Sequence, residues 1–174
     1  PITFVASANC ALYCGAKVDF VDINQENALI DINLLTEKLI KADKVGKLPK
    51  ILVPVHLAGS SCDMKSIYEL SKKYGFYVIE DASHAIGGKY LDQPIGSCLF
   101  SDITIFSFHP VKIITTGEGG IATTNCKNLA ETMTELRSHG ITKDQNKFLE
   151  KRDNENWRYE QQKLGFNYRL TDIS

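Results

Sequence analysis

Strand-like and helix-like runs alternate along this chain, which predicts an α/β domain with a largely parallel sheet. Lys17 to Val21 is a β-rich run after Gly15. Asp31 can cap a helix running to about Ala42, and Ile30 with Leu35 fits a hydrophobic staple. Ile51 to Val55 is a continuous apolar run, suited to a strand in a sheet covered on both faces. Apolar residues then recur at helical spacing through Met64, Ile67, Tyr68, Leu70 and Tyr74, with Asp63 as cap and Gly75 as stop.

Three further strands are predicted over Phe76 to Glu80, Asp102 to Phe108 and Gly120 to Thr124. The loop between the last two, His109 to Gly119, is too short for a crossover helix, so those strands are predicted to be antiparallel neighbours. Asn125 can cap a helix through Leu129, Met133 and Leu136. From Ile141 to Lys163 the chain is polar without a clear period and reads as a surface excursion. Pro1 to Val5 reads as the middle of a folded unit and Leu170 to Ser174 as the first turn of a helix, so the chain is expected to be a fragment.

Composition narrows the function classes. The 174 residues are 43% hydrophobic and 24% charged, as in an ordinary soluble domain. A net charge of −1, with lysines alternating with acids, offers no field for nucleic acid or an anionic membrane. No apolar run approaches a membrane span. Cys10, Cys14, Cys62, Cys98 and Cys126 lack CxxC spacing and are expected to be free thiols in a reducing cytoplasm. His56, His84, His109 and His139 show no metal-ligand spacing.

The chemistry gathers at strand ends. Asp81 closes one predicted strand, and Lys112 sits five residues after Ser107, just beyond another. In open α/β sheets ligands bind beyond the carboxyl ends of the strands, so both can face one crevice. A lysine and an acid placed in this way are the pair that pyridoxal 5'-phosphate needs: the amine bonds the cofactor's aldehyde, and the acid keeps the pyridine nitrogen protonated. Ser107 can donate to a phosphate oxygen, and His84 can bond the phenolic oxygen. Taken singly, each has a bland alternative: a helix cap for Asp81, a solvated lysine, a packed histidine, a strand-end hydroxyl bonded to backbone. Gly117, Gly119 and Gly120 permit unusual dihedrals or close backbone approach, and match neither a dinucleotide fingerprint nor a phosphate loop.

The runs Ile79 to Ala85, Phe106 to Lys112, Thr115 to Gly120, Leu136 to Ile141 and Gly165 to Ile173 resemble, in order, the DegT/DnrJ/EryC1/StrS family of pyridoxal-phosphate-dependent nucleotide-sugar aminotransferases. The resemblance implies a fold-type-I large domain, a three-layer α/β/α unit whose mostly parallel sheet holds one antiparallel strand. It implies that residues 1–174 are part of that domain, with the phosphate loop before it and the small domain after it both missing. Two strands of that sheet would precede Pro1, one of them between Lys17–Val21 and Ile51–Val55, so the isolated fragment is expected to be inactive.

The resemblance also assigns roles. Lys112 matches the lysine that holds the cofactor and shuttles the proton, Asp81 the acid on the pyridine nitrogen, His84 the neighbour of the phenolic oxygen and Ser107 a phosphate ligand. Asn167 matches an asparagine that reaches the phosphate in a partner subunit, implying a homodimer. Some relatives carry histidine in place of the lysine and act as dehydratases; Lys112 favours amino transfer. Within the family, His109 to Thr116 and Ser138 to Ile141 are most similar to members aminating carbon 4 of a UDP-linked 4-keto-6-deoxy-N-acetylhexosamine, with glutamate as donor, in pseudaminic-acid biosynthesis. The alternatives are amination of another nucleotide-linked ketosugar, or a cofactor-binding protein without turnover.

Overall fold

The structure, a computed structural model, describes residues 2–150 and 157–174. The chain divides into two compact units, Pro1–Asn125 and Cys126–Ser174.

The first unit opens with helix α1 (Ala6–Tyr13), which the apolar pattern does not predict because it buries none of its residues. Lys17 to Val21 joins no ladder: β propensity expresses itself as a strand only where a neighbour offers hydrogen bonds. Helix α2 (Ile32–Lys44) begins where expected, the Asp31 carboxylate accepting from the backbone N–H groups of Asn33 and Leu34. The apolar run at Ile51 forms a ladder only as β1 (Ile51–Leu52), with an isolated bridge at Val55. Pro54 lies between them, and a proline cannot donate to a ladder.

Helix α3 (Met64–Tyr74) is bounded by the Asp63 cap and by Gly75 at φ 74°, in the left-handed region where glycine is favoured. Then follow β2 (Tyr77–Asp81), a hairpin of β3 (Lys89–Tyr90) and β4 (Gln93–Pro94), β5 (Ile103–Ser107) and β6 (Gly120–Thr123). The main sheet has the order β1-β2-β5-β6, parallel except for the expected antiparallel β5/β6 pair.

Alternation along β2 and β5 sorts the side chains. Val78 joins Leu35, Leu39, Met64 and Ile67 in a core that packs α2 and α3 on one face. Phe106 packs with Ala82 and Ala85 in a second, smaller cluster. Ile51, Tyr77 and Ile105 are exposed. Burying the large apolar side chains of the core is worth roughly 1.5–3 kcal/mol each.

The second unit holds helix α4 (Lys127–Leu136) and the antiparallel pair β7 (Ile141–Thr142) and β8 (Glu160–Gln161). Cys126, not Asn125, occupies the position before α4. The Asn125 carboxamide instead donates to the carbonyls of Ser97 and Cys98 in the first unit, satisfying a turn rather than a helix. The stretch expected to be a surface excursion therefore carries a short ladder; residues 151–156 of it lie outside the described residues. Leu170 to Ser174 forms a turn closed by the Ser174 N–H on the Thr171 carbonyl, not a helix. Among the described residues no helix is long and apolar enough to cross a membrane.

Candidate active site

Glu80 and Asp81 are adjacent at the carboxyl end of β2, so their side chains leave opposite faces of the sheet. Glu80 turns into the core. Asp81 turns to the other face, where in register it lies opposite Ile105, two residues before Ser107 on β5. Asp81 and Ser107 thus emerge from one face at the same end of two parallel strands. The connection from Phe108 to Gly119, with Lys112, begins at that end and returns as β6. Four of the five expected site residues belong to this one end of the first unit.

Asp81 is held on every side. Its Oδ2 accepts from the Ser7 hydroxyl at 2.5 Å and its Oδ1 from the Ser83 hydroxyl at 2.6 Å and the Ser83 N–H at 3.2 Å. Its backbone N–H donates to the Pro54 carbonyl, and its carbonyl accepts from the His56 N–H at 3.0 Å. Ser7 on α1 is a site residue that the sequence reading missed. It lies 74 positions away in a helix without an apolar face, so no local pattern signals it.

His84 is half-buried, and its Nδ1 accepts the Ala58 N–H at 3.3 Å. With Nδ1 as acceptor, the neutral ring carries its proton on Nε2 and can donate from there. Ser107 is half-buried, its oxygen 3.4 Å from the His109 N–H. Lys112 is half-buried in a loop closed largely by its own backbone: Lys112 N–H to the His109 carbonyl, and Thr116 N–H with the Thr115 hydroxyl to the Phe108 carbonyl. Gly117 and Gly120 act as expected. Gly117 has φ 79°, and a Cβ on Gly120 would stand 2.8 Å from the Phe106 carbonyl oxygen.

Asn167 belongs to the second unit, where it is exposed and bridges to Ser138. Its Oδ1 accepts from Arg169 Nε at 2.7 Å, which leaves the amide N–H groups as its outward donors.

Behind the site lies a buried polar cluster that the sequence reading did not find. His56 Nε2 meets Glu80 Oε2 at 2.7 Å, while Thr104 (at 2.8 Å) and Ser101 donate to Oε1. Burial pushes the Glu80 carboxyl upward. The bonds from His56, Ser101 and Thr104 outweigh it and hold the group below its ordinary range. Cys62, also buried, has its thiol pushed up to about 12 by burial, which makes it unreactive. A cavity of about 350 Å³ lined by Asn24, Asn27, Asp31, Asp63 and Tyr90, among others, contains none of the site residues. Its lining has no cationic side chain. Among the described residues no group of three or more His, Cys, Asp or Glu could hold a metal ion.

Residues 1–174 match the model of the DegT/DnrJ/EryC1/StrS aminotransferase family. The chain belongs to that family. It is 43% identical to the UDP-4-amino-4,6-dideoxy-N-acetyl-beta-L-altrosamine transaminase of Campylobacter jejuni, over 100% of this chain and 42% of that protein. It is 40% identical to the GDP-perosamine synthase of Caulobacter vibrioides, over 99% of this chain and 41% of that one. Among solved structures it matches Helicobacter pylori PseC, an aminotransferase involved in the biosynthesis of pseudoaminic acid, with TM-score 0.82 and 37% identity. That match covers 99% of this chain and 41% of that one. The chain thus spans less than half the length of the relatives it matches, and its fold is that of this family of aminotransferases.

Pyridoxal phosphate is the family's cofactor. The donor set at the β2/β5 end fits it. A carboxylate (Asp81), an imidazole N–H (His84), a hydroxyl (Ser107) and an amine (Lys112) are the types of group that this cofactor takes.

Proposed function

We propose that the full-length protein is a pyridoxal-phosphate-dependent aminotransferase that moves the amino group of glutamate onto carbon 4 of a UDP-linked 4-keto-6-deoxy-N-acetylhexosamine, in nucleotide-sugar biosynthesis of the pseudaminic-acid type. The observation that carries the chemistry is that Asp81 and Ser107 leave one face at the same end of the β2/β5 pair, with His84 and the Lys112 loop following directly in the chain. The identity to the altrosamine transaminase supports the choice of sugar.

When bound, pyridoxal phosphate supplies an aldehyde that bonds amines and a ring that takes up the electrons of a deprotonated carbon. The chain's own residues do the rest. Lys112 holds the aldehyde until a substrate amine replaces it, and then carries the proton between the reacting carbons. Asp81, with its oxygens oriented by Ser7 and Ser83, keeps the pyridine nitrogen protonated. His84 donates from Nε2 to the phenolic oxygen, and Ser107 donates to the phosphate. Over both halves of the cycle glutamate becomes 2-oxoglutarate and the ketone becomes an amine.

In this reading residues 1–174 are part of the large domain, and the phosphate loop and small domain lie elsewhere in the full-length protein. The protein works as a cytoplasmic homodimer in which the outward amide of Asn167 serves the phosphate of the partner's site. A GDP-linked 4-ketosugar is the second reading, favoured by the 40% identity to a GDP-perosamine synthase.

The test is product analysis of the purified full-length protein with pyridoxal phosphate, glutamate and a panel of UDP- and GDP-linked ketosugars, beside Lys112→Ala. Amination at carbon 4 of the UDP sugar, together with a visible absorbance band of the bound cofactor that the variant lacks, is the expected result. An unchanged band in Lys112→Ala, or turnover confined to a 3-ketosugar, rejects the reading.

A further inference from the structure

The site residues occupy the outer side of the β2 terminus, and the Glu80 cluster occupies the inner side. Glu80 is 5% exposed, and His56 and Thr104 are fully buried. His56 Nδ1 accepts the Cys62 N–H at 3.2 Å, so the neutral ring has its proton on Nε2, aimed at Glu80 Oε2. Both oxygens of the carboxylate are thereby occupied, Oε2 by the ring and Oε1 by the hydroxyls of Ser101 and Thr104.

The loop that His56 starts is what touches the site. Its first backbone N–H, from His56 itself, donates to the Asp81 carbonyl, and its third, from Ala58, donates to His84 Nδ1. Ala58 and Gly59 both sit at positive φ, 54° and 88°, folding the loop tightly against the 81–84 segment. A Cβ on Gly59 would stand 3.0 Å from the His84 carbonyl oxygen. The Glu80 carboxylate thus grips through the His56 ring the same short loop whose backbone fixes the carbonyl of Asp81 and the tautomer of His84.

A buried charge with its donors is a costly way to fill a core, since apolar side chains of equal volume often stabilise as well or better. What such a cluster does provide is a single geometry, because every one of its bonds is directional. We propose that Glu80 and His56 are positioning residues. They touch neither cofactor nor substrate, and they set where the Asp81 carboxylate and the His84 Nε2 proton stand. The proposal rests on the cofactor reading above and adds to it residues that act through the named ones.

The experiment uses the full-length protein, pyridoxal phosphate labelled with 15N in its ring, and three variants. Glu80→Leu removes the grip. Glu80→Gln keeps its shape, because the Ser101 and Thr104 hydroxyls can turn to accept. Ile67→Val trims the same core without touching the cluster. Cofactor Kd, the pyridine 15N resonance and the Tm are measured for each.

Glu80→Leu is expected to weaken cofactor binding by about 10- to 100-fold, by analogy with the loss of an outer-shell partner at a metal site. It should also move the 15N resonance toward the unprotonated position. Glu80→Gln should fall between it and the parent, and Ile67→Val should leave both readouts alone. Equal loss of affinity in Glu80→Leu and Ile67→Val at matched Tm would overturn the proposal, as would a parental 15N resonance in Glu80→Leu. If Glu80→Leu does not fold, His56→Asn, whose shorter amide can still accept the Cys62 N–H but falls short of Glu80, is read by the same criteria. A parent protein without a Lys112-dependent band refutes the cofactor reading itself. Normal parental binding with unmoved variants refutes only the positioning role.

Discussion

The acid and the lysine of this site are held in opposite ways. Asp81 ends a central strand, and its side chain and backbone bond to Ser7, Ser83, Pro54 and His56, from a helix, a turn and a neighbouring strand segment. Lys112 rides in an exposed loop whose bonds run mainly from Phe108 and His109 to its own residues. The loop's contact between His109 and Glu118, at 3.8 Å, is exposed on both sides and contributes little. One group is built into the sheet, and the other is carried at the end of a tether. In the proposed mechanism a carboxylate facing a pyridine nitrogen has a single position to keep. The lysine in that mechanism bonds the aldehyde, releases it and moves a proton, work that suits a residue on a loop.

Exchanging each residue for alanine separates the two. Lys112→Ala should lower turnover by roughly a hundred- to ten-thousandfold through loss of acid–base catalysis, yet shift stability by no more than about 0.5 kcal/mol, as surface substitutions do. Asp81→Ala should lower turnover by roughly a hundred- to a thousandfold through lost electrostatic stabilisation. It should also cost about 1 kcal/mol of stability, because the Ser7 and Ser83 hydroxyls lose their acceptor. Urea unfolding of the apo full-length protein, run beside the activity assay, reads both. Equal stability losses in the two variants would erase the distinction.

The loop does have one firm anchor, where it becomes β6. Gly120 lies so close to β5 that an added Cβ would meet the Phe106 carbonyl oxygen at 2.8 Å. Backbone cannot yield as a side chain would, so Gly120→Ala should destabilise by about 1–3 kcal/mol. Gly117, inside the loop, meets nothing within 4 Å, and alanine there suffers only from its positive φ. If Gly117→Ala proves the more damaging, the loop is more tightly packed than its contacts show.

How much of this was legible in the sequence followed from how local each signal is. Asp31 and Asp63 announced α2 and α3 because a cap and a 3.6-residue period lie within a dozen positions of each other. The string around Lys112 is equally local. Ser7 was not legible, since its partner is 74 residues away and α1 has no apolar stripe. Nor was the Glu80 cluster: alternation from Val78 places Glu80 on the core face, but its donors come from His56, Ser101 and Thr104, on separate segments. Asn125 misled because a capping side chain and a turn-satisfying one look alike until their partners are known. Lys17 to Val21 reads as a strand by propensity and lacks only the neighbour that would make it one.

Acid sharpens the contrast further, because the brace behind Asp81 contains a buried carboxylate and the lysine loop does not. Glu80 titrates below its ordinary range in the folded protein, burial being outweighed by its three donors. An unfolded glutamate titrates near about 4.3. The folded state therefore holds this proton less readily than the unfolded one, and Glu80 contributes its full stabilisation above that pH. The contribution drains away as pH falls from there through the lower folded value, at no more than about 1.4 kcal/mol per pH unit for a single group. Other carboxylates add to acid unfolding, Asp63 among them, so the parent alone cannot isolate the effect. Glu80→Gln can, because it has no proton to take up at this position. The stability difference between parent and Glu80→Gln, from urea titrations of the apo full-length protein at pH 7, 5, 4 and 3, should be constant down to about 5 and should then move in favour of the variant. A flat difference for Glu80→Gln would mean that its carboxylate is not held ionised by His56, Ser101 and Thr104, and the wall behind Asp81 would then owe its order to apolar packing alone.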